Sequence, residues 1–302
     1  MRELFPETRF HDSRERLGGD DLIRFLSGAQ AALIGTERFD AATLDRLPEL
    51  RAIGKYGVGL DNLPQGELER RGIALGWQGG VNRRSVAELA LAAMLGLAHN
   101  VFRTGAQRKR GEWNKSGGQL LSEKTVGVIG CGFAGTELLE LLRPFGCRFL
   151  INDIIDKSKV AQAHGADTAS LASFEQTLSE SDFVSLHVPL TEATREMIGA
   201  NELRALGKGS AGAGGFLINT SRGEVVNEAA LAQALKGHII AGAFLDVYQT
   251  EPCLDSPLMN PEFDSFWGTP HIGGNAKEAV AAMGAAAIEN LQQAMRAAGL
   301  MA

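Results

Sequence analysis

Three cysteines in 302 residues, at positions 131, 147 and 253, are too few and too widely spaced for a disulfide framework, and no Cys-x-x-Cys pair suggests zinc. No metal site is expected. A basic surplus is also missing: 30 Lys and Arg against 36 Asp and Glu leave a net charge of -6, so neither a nucleic acid nor a membrane surface is an expected partner. The longest apolar run, Leu89 to Ala98, is too short to span a bilayer. The first ten residues are charged throughout and lack the apolar core of a signal peptide, which makes a cytoplasmic location the expectation. No internal repeat appears, and low complexity is confined to Gly207 to Gly215.

What is present is a globular composition, 44% apolar and 22% charged, in a chain long enough for two domains. Short apolar strands at Ala31 to Ile34, Leu50 to Ile53 and Ile73 to Leu75 alternate with helical pieces at Ala41 to Leu47 and Pro64 to Arg70. From Asn82 to Arg103 apolar residues at helical spacing cover more than one face, predicting a buried crossover helix. Strands are then predicted at 125–130, 147–152, 182–186, 216–219 and 240–245, as in a parallel sheet. An alanine-rich helix from Ala276 to Ala298 is expected to return to the first domain. The start reads as a helix tail at Met1 to Phe5 leading into a strand at Thr8 to His11, as though a first strand-helix unit were missing.

The sharpest local signal is Lys124-Thr-Val-Gly-Val-Ile-Gly-Cys-Gly-Phe-Ala-Gly135, an apolar strand running into Gly130, Gly132 and Gly135 with a helix-forming segment behind. Gly130 permits a tight turn, Gly132 lets the backbone approach a pyrophosphate, and Gly135 lets helix and strand pack closely. A second strand ends in Asp153, 18 residues after Gly135, where a carboxylate suits a ribose 2'-hydroxyl and repels a 2'-phosphate. NAD is therefore expected rather than NADP.

Four more strand ends carry polar residues: His187-Val-Pro-Leu with Thr194 beyond it, Asn219-Thr-Ser-Arg222, Asp246 followed by Glu251, and Thr269-Pro-His271-Ile-Gly-Gly274. In an open parallel sheet, ligands bind outside such carboxyl ends. With Gly57-Val-Gly-Leu-Asp-Asn62 and Ser85-Val-Ala-Glu-Leu89, these segments resemble the D-isomer-specific 2-hydroxyacid dehydrogenase family over nearly the whole chain. Within it, Asn82-Arg-Arg-Ser-Val-Ala-Glu-Leu, Gly111-Glu-Trp-Asn-Lys115 and Ser-Leu-His-Val-Pro are most similar to the D-3-phosphoglycerate dehydrogenase branch.

The resemblance implies two Rossmann-like or flavodoxin-like doubly wound parallel-sheet domains. An NAD-binding domain (82–274, crossover helix 82–103) is inserted into a discontinuous substrate domain (1–81 with 275–302). It implies Arg222, Glu251 and His271 as the catalytic set, with Tyr56, Gly57, Val58 and Gly59 at the substrate. Cofactor contacts follow from Gly130, Gly132, Phe133, Ala134, Gly135, Asp153, His187, Pro189, Thr194, Thr220, Ser221, Asp246, Gly273 and Gly274. It implies a homodimer through the crossover region and hydride transfer between C2 of a D-2-hydroxy acid and NAD. The leading substrate is 3-phosphoglycerate; the alternatives are a glyoxylate or hydroxypyruvate reductase, or a non-catalytic NAD(H)-sensing protein.

The chemistry asks for these residue types. Removing a hydroxyl proton near neutral pH suits histidine, a hydrogen-bonded carboxylate raises its pKa, and a planar guanidinium holds a carboxylate bidentately. Each has a plainer alternative: His271 as a helix cap, Glu251 as a surface acid, Arg222 as a surface ion-pair partner. His187 reads as a cofactor-side or structural residue, and His11, His99, His164 and His238 as structural or solvated. Arg108-Lys-Arg110 with Arg83, Arg84 and Lys115 is either a solvated face or a cationic rim for an anionic substrate. The small residues of Gly207 to Gly215 are expected to lengthen the loop before the Arg222 strand, and Ala302 leaves no length for a regulatory domain. An L-lactate or L-malate type enzyme would carry its fingerprint near the N-terminus.

Overall fold

The alternating strands and helices form two parallel sheets in a computed structural model that describes residues 5–13, 15–165, 167–208, 214–260 and 263–301. The chain divides into two compact units, Met1–Asn82 with Lys277–Ala302, and Arg83–Ala276.

The first unit contains α1 (Gly19–Leu26), β1 (Ala31–Ile34), α2 (Ala41–Asp45), β2 (Ala52–Lys55), α3 (Gln65–Arg70), β3 (Ala74–Gly76) and, from the end of the chain, α11 (Lys277–Ala297). Its three strands are parallel in the order β1-β2-β3. Helix α11 lies so close to the sheet that a Cβ on Gly76 would stand 1.9 Å from the Asn290 carbonyl oxygen. Leu22, Leu26, Ile34, Leu44, Ile53 and Leu68 fill the core. The predicted strand at Thr8 to His11 does not form. Thr8 instead closes a turn onto the Phe5 carbonyl, and Arg9 Nη2 donates to Ser27 O at 2.6 Å. Of the predicted helix tail Met1 to Phe5, Met1 to Leu4 lie outside the described residues.

The second unit opens with α4 (Arg83–Ala98) and α5 (Val101–Lys109), then runs β4 (Thr125–Ile129), α6 (Phe133–Leu142), β5 (Arg148–Asn152), α7 (Ser158–His164), β6 (Ala169–Leu171), α8 (Phe174–Glu180), β7 (Phe183–Leu186), α9 (Ala200–Ala205), β8 (Phe216–Asn219), α10 (Glu228–Lys236), β9 (Gly242–Leu245) and β10 (Phe266–Gly268). The sheet is parallel, in the order β10-β9-β8-β7-β4-β5-β6. Strands β4, β7, β8 and β9 are buried along their length but for the half-exposed Phe216, which explains their nearly unbroken apolar sequences.

The predicted single helix from 82 to 103 is two helices bent by 69°. Asn100 takes the left-handed conformation at φ 54, and Phe102 folds back over Gly96, where a Cβ would stand 2.2 Å from the ring. Among the described residues no single helix is long and apolar enough to cross a membrane; this bent pair passes by length and composition only, and α4 buries its apolar residues against α6, β8 and β9. Of the predicted small-residue loop before β8, residues 209–213 lie outside the described residues, and β8 begins at Phe216 as expected.

Candidate active site

In the seven-stranded sheet the strand order departs in opposite directions from the β4/β7 pair, the switch point where an open α/β sheet forms its ligand crevice. Gly130 ends β4 there with φ +87, and a Cβ on it would lie 2.7 Å from the carbonyl carbon and oxygen of His187, just past β7. A Cβ on Gly135 would meet Gly130 O at 2.5 Å, so α6 rests directly on the turn. Gly132 has nothing within 4 Å of a Cβ position, leaving open space over the start of α6. Among the described residues no side chain caps that helix, so its first N–H groups are available to an anion. Exposed Phe133 and half-buried Ala134 form its first turn.

Asp153 follows β5. Its Oδ2 accepts the Cys131 N–H at 2.8 Å, tying the strand end to the glycine turn, and its Oδ1 accepts the Ile155 N–H at 2.9 Å. Lys157 Nζ stands 3.6 Å from Oδ2. A carboxylate has about four lone-pair sites, so acceptor capacity for a ribose hydroxyl remains.

Two enclosed polar atoms at neighbouring strand ends, His187 Nδ1 and Thr220 Oγ1, have no hydrogen-bond partner among the described residues. An unsatisfied buried group costs about 1–3 kcal/mol, so both suit a ligand's polar groups. The turn, the open helix start and these two atoms together fit a dinucleotide. Burial pushes the His187 pKa down to about 4, so the imidazole is neutral near pH 7, with Nε2 2.9 Å from Ser185 Oγ. Pro189 O accepts from Thr194 Oγ1 at 2.7 Å, and Thr194 Oγ1 accepts the Thr191 N–H at 2.8 Å, so the Thr194 hydroxyl is engaged within its own turn.

Beyond β8, fully buried Asn219 shapes the turn that presents Arg222. Its Oδ1 accepts from Ser221 N at 3.0 Å and Ser221 Oγ at 2.7 Å, and its Nδ2 donates to Arg222 O at 2.9 Å. Arg222 Nη1 donates to Ser221 O at 2.7 Å. The next residue, Gly223, presses on the chain after β9: a Cβ there would be 1.9 Å from the Tyr248 carbonyl carbon.

Asp246, only 1% exposed, organises the segment that carries His271. Oδ1 accepts from Thr269 Oγ1 at 2.6 Å and Ile272 N at 2.8 Å, Oδ2 accepts from Gly273 N at 2.7 Å, and the Asp246 carbonyl accepts from His271 N at 2.8 Å. Ser85 Oγ donates to Gly273 O at 2.6 Å, tying the start of α4 to this turn, which half-buried Gly274 completes. His271 itself has φ +55.

Its Nδ1 lies 2.8 Å from Glu251 Oε2, while Glu251 Oε1 accepts the Tyr248 N–H at 3.1 Å. An ionised carboxylate only accepts, so Nδ1 carries the proton and Nε2 is left to act. The bond to Glu251 raises the His271 pKa, burial opposes it, and Arg222's charge lowers it further. Burial pushes Glu251 up, but the bond to His271 and the charges of His271 and Arg222 bring it below the ordinary glutamate value. Arg222 thus acts electrostatically on both members of the pair.

In the first unit, the predicted turn Tyr56 to Gly59 follows β2. Tyr56 N donates to Ile34 O at 2.8 Å, Gly57 has φ +91, Val58 O accepts from Trp77 Nε1 at 3.1 Å, and half-buried Gly59 follows. The cationic-rim alternative loses ground. Arg83 pairs with Glu137 at 3.1 Å, Arg84 with Glu88 at 2.6 Å and Glu137 at 3.2 Å, and Arg110 with Glu112 at 2.9 Å; Arg108 sits over the Trp113 ring. Asn219, Ser85 and Thr269 lie in the segments read from the sequence but were given no role there; an asparagine ending an apolar strand next to the Thr-Ser-Arg turn was the available signal for the first.

Residues 91–273 match the family described as D-isomer specific 2-hydroxyacid dehydrogenase, NAD binding domain. The chain is 36% identical over 265 residues to the glyoxylate reductase of Thermococcus litoralis, covering 85% of this chain and 77% of that protein. It is 33% identical over 255 residues to the D-3-phosphoglycerate dehydrogenase of Methanocaldococcus jannaschii, covering 84% of this chain and 47% of that one, about half its length. Its fold is similar to the crystal structure of the Aquifex aeolicus D-lactate dehydrogenase complexed with NAD and lactic acid, with a TM-score of 0.79 and 25% identity over 90% of this chain and 83% of that one.

Proposed function

This chain belongs to the D-isomer-specific 2-hydroxyacid dehydrogenases, and on that premise we propose that it interconverts a small D-2-hydroxy acid and its 2-oxo acid with His271 as the acid/base. Its cofactor is NAD, because residues 91–273 are the NAD-binding domain of that family. When bound, NAD supplies the hydride acceptor or donor. The observation that carries the proposal is the 2.8 Å bond between His271 Nδ1 and Glu251, within electrostatic reach of Arg222.

In the reducing direction protonated His271 gives its Nε2 proton to the C2 oxygen of the 2-oxo acid; in the oxidising direction the neutral ring takes the hydroxyl proton. Glu251 holds Nδ1–H throughout, fixing the tautomer and favouring the imidazolium. Arg222 binds the substrate carboxylate through its planar fork, with Asn219 and Ser221 setting its backbone. Asp246 keeps the His271 segment in place through Thr269, Ile272 and Gly273. Gly130, Gly132, Phe133, Ala134 and Gly135 cradle the pyrophosphate, and Asp153 receives the ribose hydroxyls. His187, Pro189, Thr220, Ser221, Gly273 and Gly274 contribute further cofactor contacts, while the engaged side chains of Thr194 and Asp246 shape the turns around them.

We assign the first unit to substrate binding through the amides of Tyr56, Gly57, Val58 and Gly59. For the substrate itself, the arginines engaged with Glu137, Glu88 and Glu112 support glyoxylate or hydroxypyruvate over a phosphorylated acid. The phosphoglycerate dehydrogenase relative supports 3-phosphoglycerate as the second reading. A homodimer is part of the proposal. It rests on α5, which buries none of its residues, and on exposed Val101, Trp113 and Leu120. A cytoplasmic location belongs to the same reading.

The test is a steady-state panel of glyoxylate, hydroxypyruvate, pyruvate and 3-phosphohydroxypyruvate with NADH. A highest kcat/KM for one of the unphosphorylated acids supports the reading, and a highest value for the phosphorylated acid replaces it with the second. Tight NADH binding without turnover on any acid would make the chain an NAD(H) sensor instead.

A further inference from the structure

Glu251 is not held by its own turn alone. It lies in the segment from Gln249 to Ser256, between β9 and the short turn Pro257–Met259, and both ends of that segment reach one carboxylate. Gln249 N donates to Glu228 Oε1 at 2.7 Å, and Ser256 Oγ donates to Glu228 Oε2. Glu228 is the first residue of α10, is 6% exposed, and shares that helix with buried Leu231, Ala232 and Leu235. A carboxylate in such surroundings is costly unless hydrogen-bonded, and the start of a helix favours its negative charge. Its two oxygens are spent on the two ends of the Glu251 segment. The Gln249 side chain adds a third anchor, its Nε2 donating to Val226 O and to Glu196 Oε1, both at 3.1 Å.

We propose that Glu228 is a positioning residue of this active site, clamping the Gln249 to Ser256 segment at both ends so that Glu251 stays in hydrogen-bond reach of His271. The inference rests on the reading of Glu251 and His271 as the acid–base pair. The charged and titratable groups facing His271 are Glu251, Asp246 and Arg222; those around Glu228 are Tyr248 and Cys253, with Glu196 reached through Gln249. Loosening the clamp moves only Glu251 among the first three. The bond that raises the imidazole pKa weakens, and His271 titrates lower.

The test compares Glu228→Ala, Glu228→Gln and Ser256→Ala with the unaltered chain, reading the His271 titration by NMR, with its resonance assigned from His271→Ala, and the pH profile of kcat/KM for 2-oxo acid reduction. Glu228→Ala is expected to move the His271 pKa down toward the ordinary value of about 6.5, and to lower reduction at alkaline pH about three- to tenfold with NADH affinity unchanged. Glu228→Gln, which keeps an acceptor for Gln249 N and a partner for Ser256, is expected to restore most of both. Ser256→Ala releases one end only and gives a smaller shift of the same sign. It carries the test if Glu228→Ala does not fold. An unchanged His271 pKa in a folded Glu228→Ala or Ser256→Ala protein overturns the clamp. If the pKa moves while His271→Ala retains full turnover, the clamp stands and the acid–base reading fails.

Discussion

Glu251 Oε2 lies 2.8 Å from His271 Nδ1, although 20 residues separate the two and they follow different strands, β9 and β10. Parallel strands bring them to one edge, and the bond raises the imidazole pKa because a carboxylate stabilises the protonated ring. With His271 as the proposed acid/base, reduction needs the protonated ring, so kcat/KM for reduction is full below the His271 pKa and falls as pH rises through it; oxidation rises over the same interval. Glu251→Gln removes the carboxylate charge, and the falling limb of the reduction profile moves to lower pH. A limb that stays in place in Glu251→Gln would remove Glu251 from this role.

Arg222→Lys keeps the charge but not the fork. Loss of a charge-assisted bidentate contact costs about 1.5–3 kcal/mol, so KM for the 2-oxo acid is expected to rise roughly ten- to a hundredfold, while NADH affinity holds. The same KM in the variant would show that the guanidinium does not bind the carboxylate.

In the proposed cofactor site Asp153 is the residue that selects between the two nicotinamide cofactors. With Lys157 Nζ already 3.6 Å away, replacing Asp153 by Asn removes the charge that repels a 2'-phosphate and leaves a cation beside it. The ratio of kcat/KM with NADH to that with NADPH is expected to fall at least about tenfold, the equivalent of one lost charge contact. An unchanged ratio would mean that selectivity is set elsewhere.

Gly135→Ala tests the seat of α6. The new Cβ would stand 2.5 Å from Gly130 O and 3.1 Å from Val128 Cγ1, both in a buried strand and turn that cannot move aside. Overpacking of this kind costs about 1–3 kcal/mol, read as a lower Tm together with weaker NADH binding. A Tm equal to that of the unaltered chain would show that the helix can shift freely.

Most of the second unit's central strands were legible because each is a buried apolar run ending in Gly, His, Asn or Asp, a pattern a parallel sheet produces directly. The outermost strands β6 and β10 were given no range, although the polar end that follows β10 was recognised: each has three residues, and β6 sets the polar Ser170 between its two apolar residues, so periodicity has little to register. The break at Asn100 was hidden because apolar spacing continues across it into Phe102, and only the asparagine's tolerance of left-handed backbone marked the bend. Helix α1 buries just Leu22 and Leu26, a one-turn signal in a polar stretch. Within the site, Arg222, Glu251 and His271 stood out as polar residues past apolar strands, and the family resemblance grouped them as one set. Asn219 and Glu228 did not, because their work is to bind backbone amides brought near by the fold, and a sequence does not display those partners.

His271 is the centre of the proposed chemistry, and a His271→Ala protein tests it directly by steady-state reduction of the best 2-oxo acid across the pH range, with NADH affinity measured by fluorescence. Loss of the acid/base predicts a kcat lower by about 10²- to 10⁴-fold, disappearance of the pH-dependent limb, and NADH binding within about twofold of the unaltered chain. Turnover at the original rate with the limb intact would contradict the account.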